Sequence, residues 1–140
     1  MTALTSPWSP RALAVLRMIT GLLFLAHGIV KLWGFPAGAH PGQVEILSLV
    51  GFGGVLQLIG GPLLILGFFT RPTAFILSGE MAVGYFLFHA PESLFPAVNG
   101  GDAAILFCFV FLYLSAAGPG AWSLDGRRRP IGAPMASAST

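Results

Sequence analysis

The sequence predicts an all-α polytopic membrane protein, built as a bundle of four transmembrane helices. Hydrophobic residues make up 55% of the 140 residues and charged residues only 9%, whereas soluble domains carry about 25% charged residues. The mean hydropathy is +0.82. A helix needs roughly 20 mostly apolar residues to cross the bilayer core, and four segments meet that requirement, at about 12–34, 46–69, 72–90 and 101–118.

Turn-forming residues end each of these four segments. Proline has no amide proton to donate and glycine lacks stiffness, so both interrupt helices. The interruptions are Phe35-Pro36 through Gly42, Thr70-Arg71-Pro72, Pro91 through Gly101, and Gly118-Pro119-Gly120. We therefore expect one four-helix transmembrane domain over residues 1–126. Residues 127–140 are expected to form a cytoplasmic tail, basic at first and then disordered, because its end is small and polar.

Arginines in the short connections predict the orientation of the bundle. If the four spans alternate in direction, one side of the membrane receives Arg11, Arg71, Arg127, Arg128 and Arg129. The loops on the other side, 35–45 and 91–100, contain neither lysine nor arginine. Short basic loops stay in the cytoplasm, so both termini are expected to be cytoplasmic.

Charged residues alternate with small ones along one face of the first span. Intervals of four and three residues place five side chains in one stripe, namely Arg17, Gly21, Phe24, Gly28 and Lys31. His27 lies beside this stripe. In the second span, Gly53, Gln57 and Gly61 repeat every four residues. Small residues let helices approach closely inside a membrane, so both faces are expected to contact other helices.

Glu80 is the acidic residue inside the third span. It lies about 12 Å from the cytoplasmic start of that span, and Arg17 lies roughly 8–10 Å deep by the same count of 1.5 Å per residue. An unpaired carboxylate at that depth is unfavourable, so we expect Arg17 and Glu80 to form a buried charge pair, with Gln57 as a supporting polar group. A structural role for this pair and a proton or ligand role both stay open.

Polar residues converge again at the opposite end of the predicted bundle. His27 and Lys31 end the first span, His89 ends the third, and Asn99 and Asp102 open the fourth. A few convergent polar groups in an apolar cavity are typical of a small-ligand site, so these five residues are predicted to bind a ligand. The alternative is that Lys31 reaches the interface and His89 is hydrated. No metal is predicted, because no HxxH or HxxxH spacing supports one.

Several chemistries are excluded by what the chain lacks. Cys108 is the single cysteine, so an intramolecular disulfide and a CxxC redox pair are both ruled out. No P-loop, GxSxG or HExxH motif occurs. A net charge of +2 is too small to suggest nucleic-acid binding. We assign no catalytic residue.

Four stretches, taken in their order and spacing, resemble the DoxX family of small bacterial membrane proteins. They are "LRMITGLLFLAHGIVKLWGF", "LIGGPLLILGFFTRPTAFIL", "NGGDAAILF" and "GPGAWSLD", and the resemblance covers about residues 11–126. The first motif is matched by Arg17, His27, Gly28 and Lys31, and the last by Asn99-Gly100-Gly101. Asp102 stands where many relatives have glutamate, which keeps the charge and shortens its reach.

This resemblance implies a function connected with quinones in the bacterial inner membrane. The family takes its name from a thiosulfate:quinone oxidoreductase subunit, and its members are commonly labelled oxidoreductases. It implies a quinone-associated redox subunit, or a small-molecule-binding component of a membrane oxidoreductase system. The implied partners are the lipid bilayer, a quinone or other small apolar ligand, and a redox partner protein. No cofactor other than a quinone is implied.

Two other functions remain open at this point. In one, the protein is a non-enzymatic membrane scaffold or partner subunit, and its charged residues only hold the bundle together. In the other, it is a small-solute transporter whose pathway follows the seam between Arg17 and Glu80. Four short spans are few for a monomeric transporter, so that function would require a homo-oligomer.

Overall fold

A computed structural model describes residues 6–128 of the chain, and these residues contain helices and no strand. The helices are α1 (Ser9–Trp33), α2 (Leu49–Leu66), α3 (Thr70–Gly84) with a π-helix (Tyr85–His89) directly after it, α4 (Pro96–Asn99), α5 (Asp102–Ala117) and α6 (Leu124–Arg127). The predicted all-α class is confirmed for these residues. Most of the predicted tail, including Arg129, lies outside the described residues.

The four long helical stretches coincide with the four predicted segments. α1 packs along α2, α3 packs along α5, and α2 also contacts α3. Two of these helices, α1 and α2, are long and apolar enough to cross a membrane, and α5 is a shorter apolar helix. The end of the bundle where α1 begins and α2 ends is called the arginine end below, and the opposite end is called the pocket end.

Glycines hold α1 and α2 in direct backbone contact. A Cβ atom on Gly21 would lie 2.8 Å from the carbonyl oxygen of Gly61, and one on Gly61 would lie 2.8 Å from the carbonyl oxygen of Gly21. Further along, a Cβ atom on Gly28 would lie 2.8 Å from the amide nitrogen of Leu58. The prediction that the glycine faces of these two spans contact other helices is confirmed.

The interior is small, and much of the outer surface is apolar. Phe24 packs edge-on against Phe111, with ring centroids 4.5 Å apart, within a buried cluster that also contains Leu64, Leu77 and Leu114. Large apolar side chains are exposed on every long helix; they include Leu22, Phe52, Phe75, Phe86 and Phe109. A soluble monomer rarely exposes so much contiguous apolar surface, whereas a lipid environment favours it.

Arg17 is completely buried at the arginine end, where it bonds only to backbone carbonyls. Its guanidinium donates to Leu64 and to Ile65 (2.8 Å) in the last turn of α2. It also donates to Pro119 at 2.8 Å, Ala121 at 3.2 Å and Trp122 at 3.0 Å. The last carbonyls of a helix have no partner within that helix. Arg17 supplies hydrogen-bond donors to these carbonyls of α2 and also holds the segment after α5 in place.

The predicted charge pair between Arg17 and Glu80 is wrong. Glu80 accepts a hydrogen bond from Gln57 at 2.6 Å, whereas Arg17 donates only to backbone carbonyls. α3 begins at Thr70, only a short turn after α2 ends, so the start of α3 is level with Arg17. Ten further residues carry Glu80 about 15 Å beyond that level. α1 begins at Ser9, about two helical turns before Arg17, whereas α3 begins at the level of Arg17. Equal distances from the two helix starts therefore do not mean equal depths in the bundle.

The chain after α5 forms a structure that we call the C-terminal clasp, residues 118–127. Ala121 donates a backbone hydrogen bond to Pro10 in α1, and Asp125 donates one to Gly67 after α2, both at 2.9 Å. The Asp125 carboxylate accepts the amide protons of Phe69 and Thr70, each at 2.9 Å. Asp125 therefore caps the first turn of α3, where Phe69 offers no side-chain cap.

A second arginine closes the last turn of α5. Arg71 donates from its guanidinium to the carbonyls of Ser115 at 3.0 Å, Ala116, and Ala117 at 3.4 Å. Cations near a helix C-terminus are favourable because they meet the negative end of the helix dipole. Arg71, which the sequence offers only as an orientation signal, therefore also joins α3 to α5.

Candidate functional site

A cavity of about 940 Å³ lies between α1, α2, α3 and α5 at the pocket end. Small-molecule sites in proteins typically have volumes of about 300–1,000 Å³. The cavity extends from Phe24 in the interior to residues of the loops, including His40, Pro41 and Gly100. It therefore connects the middle of the bundle with the surface that is predicted to face away from the cytoplasm.

The inner wall of the cavity is apolar and partly aromatic. Phe24 and Phe107 lie there with ring centroids 5.0 Å apart, in an edge-to-face arrangement. Aliphatic side chains and glycines complete the wall, among them Leu56, Ile76, Met81 and Gly84. Such a wall suits an apolar ring or chain.

Three polar side chains meet on this wall, and we call them the polar cluster: Lys31, Gln57 and Glu80. Gln57 donates through Nε2 to Glu80 Oε1 at 2.6 Å. A Cβ atom on Gly53 would lie 3.0 Å from Glu80 Oε1 and 3.9 Å from Lys31 Nζ, so the ammonium and the carboxyl group both lie beside the bare face of this glycine. A side chain at position 53 would occupy the space in which they meet.

Two histidines of the cavity, His27 and His89, are each oriented by a backbone carbonyl. His27 donates through Nδ1 to Leu23 at 2.7 Å, and His89 donates through Nδ1 to Asn99 at 2.9 Å. Because a carbonyl oxygen can only accept, both rings carry a proton on Nδ1, which leaves Nε2 for other contacts. The π-helix places His89 on the cavity wall, and π-helical turns are frequent at functional sites.

Two of the five predicted ligand residues do not line the cavity. Asn99 accepts the amide proton of Gly101 at 2.7 Å and donates to the Ser93 carbonyl at 2.8 Å, so its side chain organises the loop before α5. Asp102 is exposed in the first turn of α5. His27, Lys31 and His89 do line it, and Gln57 and Glu80 lie with them. The ligand-binding role of these residues stays a prediction.

Sequence reasoning missed two features of the site. One is His40, which enters the lining from the loop between α1 and α2, and its position on the same side as Lys31 was the available signal. The other is the proximity of Lys31 to Glu80 beside Gly53, because it can be seen only after the register of α1 against α2 is known. Within residues 6–128, no group of three or more His, Cys, Asp or Glu side chains is arranged to hold a metal ion.

Comparison with known proteins decides the family. The DoxX family model matches residues 12–90. The chain belongs to the DoxX family. The matched DoxX region runs from α1 through the π-helix, so it contains the whole polar cluster. The C-terminal clasp and α5 lie beyond it.

Similar DoxX relatives occur in distant bacteria. An uncharacterized protein of Haemophilus influenzae is 40% identical over 126 residues, which cover 86% of this chain and 92% of the relative. An uncharacterized membrane protein of Mycobacterium tuberculosis is 31% identical, covering 84% and 82%. The inner membrane protein YqjF of Escherichia coli is 32% identical, covering 79% and 87%. No solved structure matches the chain. The protein is thus a DoxX-family membrane protein.

Proposed function

We propose that this DoxX protein crosses the bacterial inner membrane four times, with both termini in the cytoplasm. α1 and α2 satisfy the length and hydropathy of a span. The helical residues from Thr70 to His89 run without a break, which is also about the length of a span. The 16 residues of α5 extend about 24 Å, somewhat short of the roughly 30 Å bilayer core. Arg11, Arg71 and Arg127 lie at the same end, which favours that end as cytoplasmic.

We propose that the bundle binds a small amphipathic molecule in the cavity at the pocket end, with a quinone as the leading candidate. The observation that carries the proposal is the polar cluster, placed on an otherwise apolar wall. A quinone needs a slot for its ring and chain and polar partners for its oxygens. Phe24 and Phe107 offer the first, while Lys31 and His27 offer the second.

In a redox role, the electrons would come from partner proteins or pass to them, and not from side chains of this protein. A quinone takes up two electrons and two protons when it is reduced to the hydroquinone, so the protein needs only to hold it where an electron-donor or electron-acceptor protein can reach it. In this proposal the protein is the quinone-associated subunit of a membrane oxidoreductase system, and its side chains bind and orient. None of them is assigned a catalytic step.

The structure supports the scaffold hypothesis in part and does not support the transporter hypothesis. The transporter hypothesis relied on a seam between Arg17 and Glu80, and that seam does not form, since Arg17 bonds to carbonyls of α2 and the clasp. The scaffold hypothesis gains support at the arginine end, where Arg17 and Arg71 both join helices. It gives no reason for the polar cluster, which lies on a cavity wall.

Mass spectrometry of small molecules retained after gentle detergent purification tests the proposal. We expect an isoprenoid quinone with the wild type, less of it with His27→Ala, and none with Gly84→Leu. Gly84 lines the cavity, and a Cβ atom there would meet nothing within 4 Å, so leucine enters the cavity without displacing the backbone. Leu22→Ala, on the exposed face of α1, is the control. Equal retention in the wild type and Gly84→Leu would reject the cavity as the binding site.

A further inference from the structure

The polar cluster contains two buried oxygens that lack a donor. Within residues 6–128, no hydrogen-bond donor reaches Gln57 Oε1 or Glu80 Oε2. Gln57 is only 2% exposed, so solvent does not compensate for its missing partner. Leaving a buried acceptor unsatisfied is unfavourable, and most buried polar groups therefore have a partner.

The contact between the two side chains fixes what each can still bind. Gln57 uses Nε2 to donate to Glu80 Oε1 at 2.6 Å, so its amide oxygen points elsewhere and can only accept. An ionised carboxylate likewise only accepts. Lys31, whose Nζ lies beside the same face of Gly53, supplies the donor. The site thus presents two acceptors and one cationic donor beside the apolar wall.

We propose that the ligand is an aromatic molecule bound through a phenolic hydroxyl, which donates to Gln57 Oε1 or Glu80 Oε2 and accepts from Lys31. This inference deepens the proposed function and rests on it. A hydroxyl both donates and accepts, and therefore matches both kinds of group in the polar cluster. A carbonyl or an ether oxygen only accepts and matches Lys31 alone. For a quinone and its reduced form, the polar cluster selects the reduced, hydroxyl form.

A matched pair of ligands tests the inference. We choose 4-heptylphenol and its methyl ether, 4-heptylanisole, in which a methyl group replaces the hydroxyl proton, and measure their binding to the full-length protein in detergent by titration calorimetry. The phenol can donate a hydrogen bond to the buried amide oxygen or to the charged carboxylate, and the ether cannot. The phenol should therefore bind at least about tenfold more tightly than the ether. The heat measured with Gly84→Leu gives the background from partition into detergent.

Variants of the polar cluster test which side chains produce the preference for the phenol over the ether. Gln57→Leu and Glu80→Leu should each reduce the preference for the phenol at least about threefold. Ser78→Ala is the control, because the Ser78 hydroxyl on the same helix donates to the Cys108 carbonyl at 2.8 Å and does not line the cavity. It should leave the preference unchanged. The wild-type ratio of the two ligands tests the inference even where a variant fails to fold.

The outcomes separate this inference from the proposed function. If both ligands bind equally and Gly84→Leu abolishes both, the cavity binds ligands but the hydroxyl inference is wrong. If neither ligand gives heat above the Gly84→Leu background, the cavity itself is not a binding site for such molecules and the proposed function fails.

Discussion

Arg17 makes more hydrogen bonds than any other side chain of the described bundle, all five of them to carbonyl oxygens. Replacing it by leucine leaves the end of α2 and the C-terminal clasp without their common donor. The free energy of unfolding should therefore fall by on the order of 3–5 kcal/mol, seen as a clearly lower Tm in detergent. Arg17→Lys should recover only part, since a point charge cannot span five acceptors.

The same variant distinguishes this arrangement from the charge pair that the sequence suggested. Because Arg17 and Glu80 lie about 15 Å apart along the bundle, the losses in Arg17→Leu and Glu80→Leu should add within about 0.5 kcal/mol in the double mutant. Recovery of stability in the double mutant would show direct coupling and contradict the structure. Arg11→Leu, exposed on the same helix, is the control and should change Tm little.

Asp125 gives the arginine end a dependence on pH. Partial burial tends to raise the pKa of its carboxyl group, but hydrogen bonds from the backbone amides of Thr70 and Phe69 outweigh this and lower that pKa below the usual 3.8. A carboxyl group with a lowered folded-state pKa stabilises the fold above its unfolded pKa, and this contribution is lost as the pH falls through the folded-state value.

We therefore expect Asp125→Asn to lower stability at neutral pH by about 0.5–2 kcal/mol, the usual effect of a lost helix cap. The difference in Tm between wild type and variant should be complete above about pH 5 and should close as the pH falls below about 4. A difference that stays constant from pH 7 to pH 3 would show that the carboxylate charge does not act at this cap.

At the scale of helices, the glycine contacts between α1 and α2 set their separation and register. Gly21→Ala places a methyl group 2.8 Å from a backbone oxygen, which only a shift of the helices can relieve. Overpacking of this kind typically costs 1–3 kcal/mol. Gly79→Ala, where a Cβ atom meets nothing within 4 Å, is the matched control and should be neutral or slightly stabilising, since alanine favours helix. Equal effects of the two would mean that helix propensity, and not contact, decides.

Helix positions followed from local signals, whereas contacts between distant residues did not. The four long helices could be predicted because apolar runs, glycine and proline breaks are properties of short segments. Helical periodicity also predicted that Gly21 and Gly28 lie on the face of α1 that contacts another helix. The partners of Arg17 and Glu80 depend on where α3 starts relative to α2, and a difference of a few residues moves a side chain by a full helical turn.

The candidate site shows the same division. His27, Lys31 and His89 could be brought together because each lies near the same end of the predicted helix bundle. Asn99 was grouped with them by its position in the sequence, which does not reveal that its side chain makes hydrogen bonds within the loop. The role of Asp125 and the clasp could not be foreseen, since the residues that they contact, Phe69 and Thr70, are distant along the chain.

For the molecule as a whole, the four-span topology predicts which positions are accessible from each side of the membrane. In a Cys108→Ala background, single cysteines at positions 40 and 96 should react with an impermeant reagent added from outside. A cysteine at position 128, which is exposed at the arginine end, should not, because the positive-inside rule places that end in the cytoplasm. The reverse pattern would invert the proposed orientation, and a mixed pattern would reject four spans.

The central claim is that the cavity beside Lys31, Gln57 and Glu80 is a ligand site. The most direct measurement is an experimental structure of the full-length protein, purified with its native lipids in nanodiscs, at a resolution that shows small molecules. We predict density for an aromatic molecule against the wall formed by Phe24 and Phe107, with an oxygen atom within hydrogen-bond distance of Gln57 Oε1 or Glu80 Oε2. A cavity closed by protein side chains, or one that contains only lipid acyl chains, would contradict the claim.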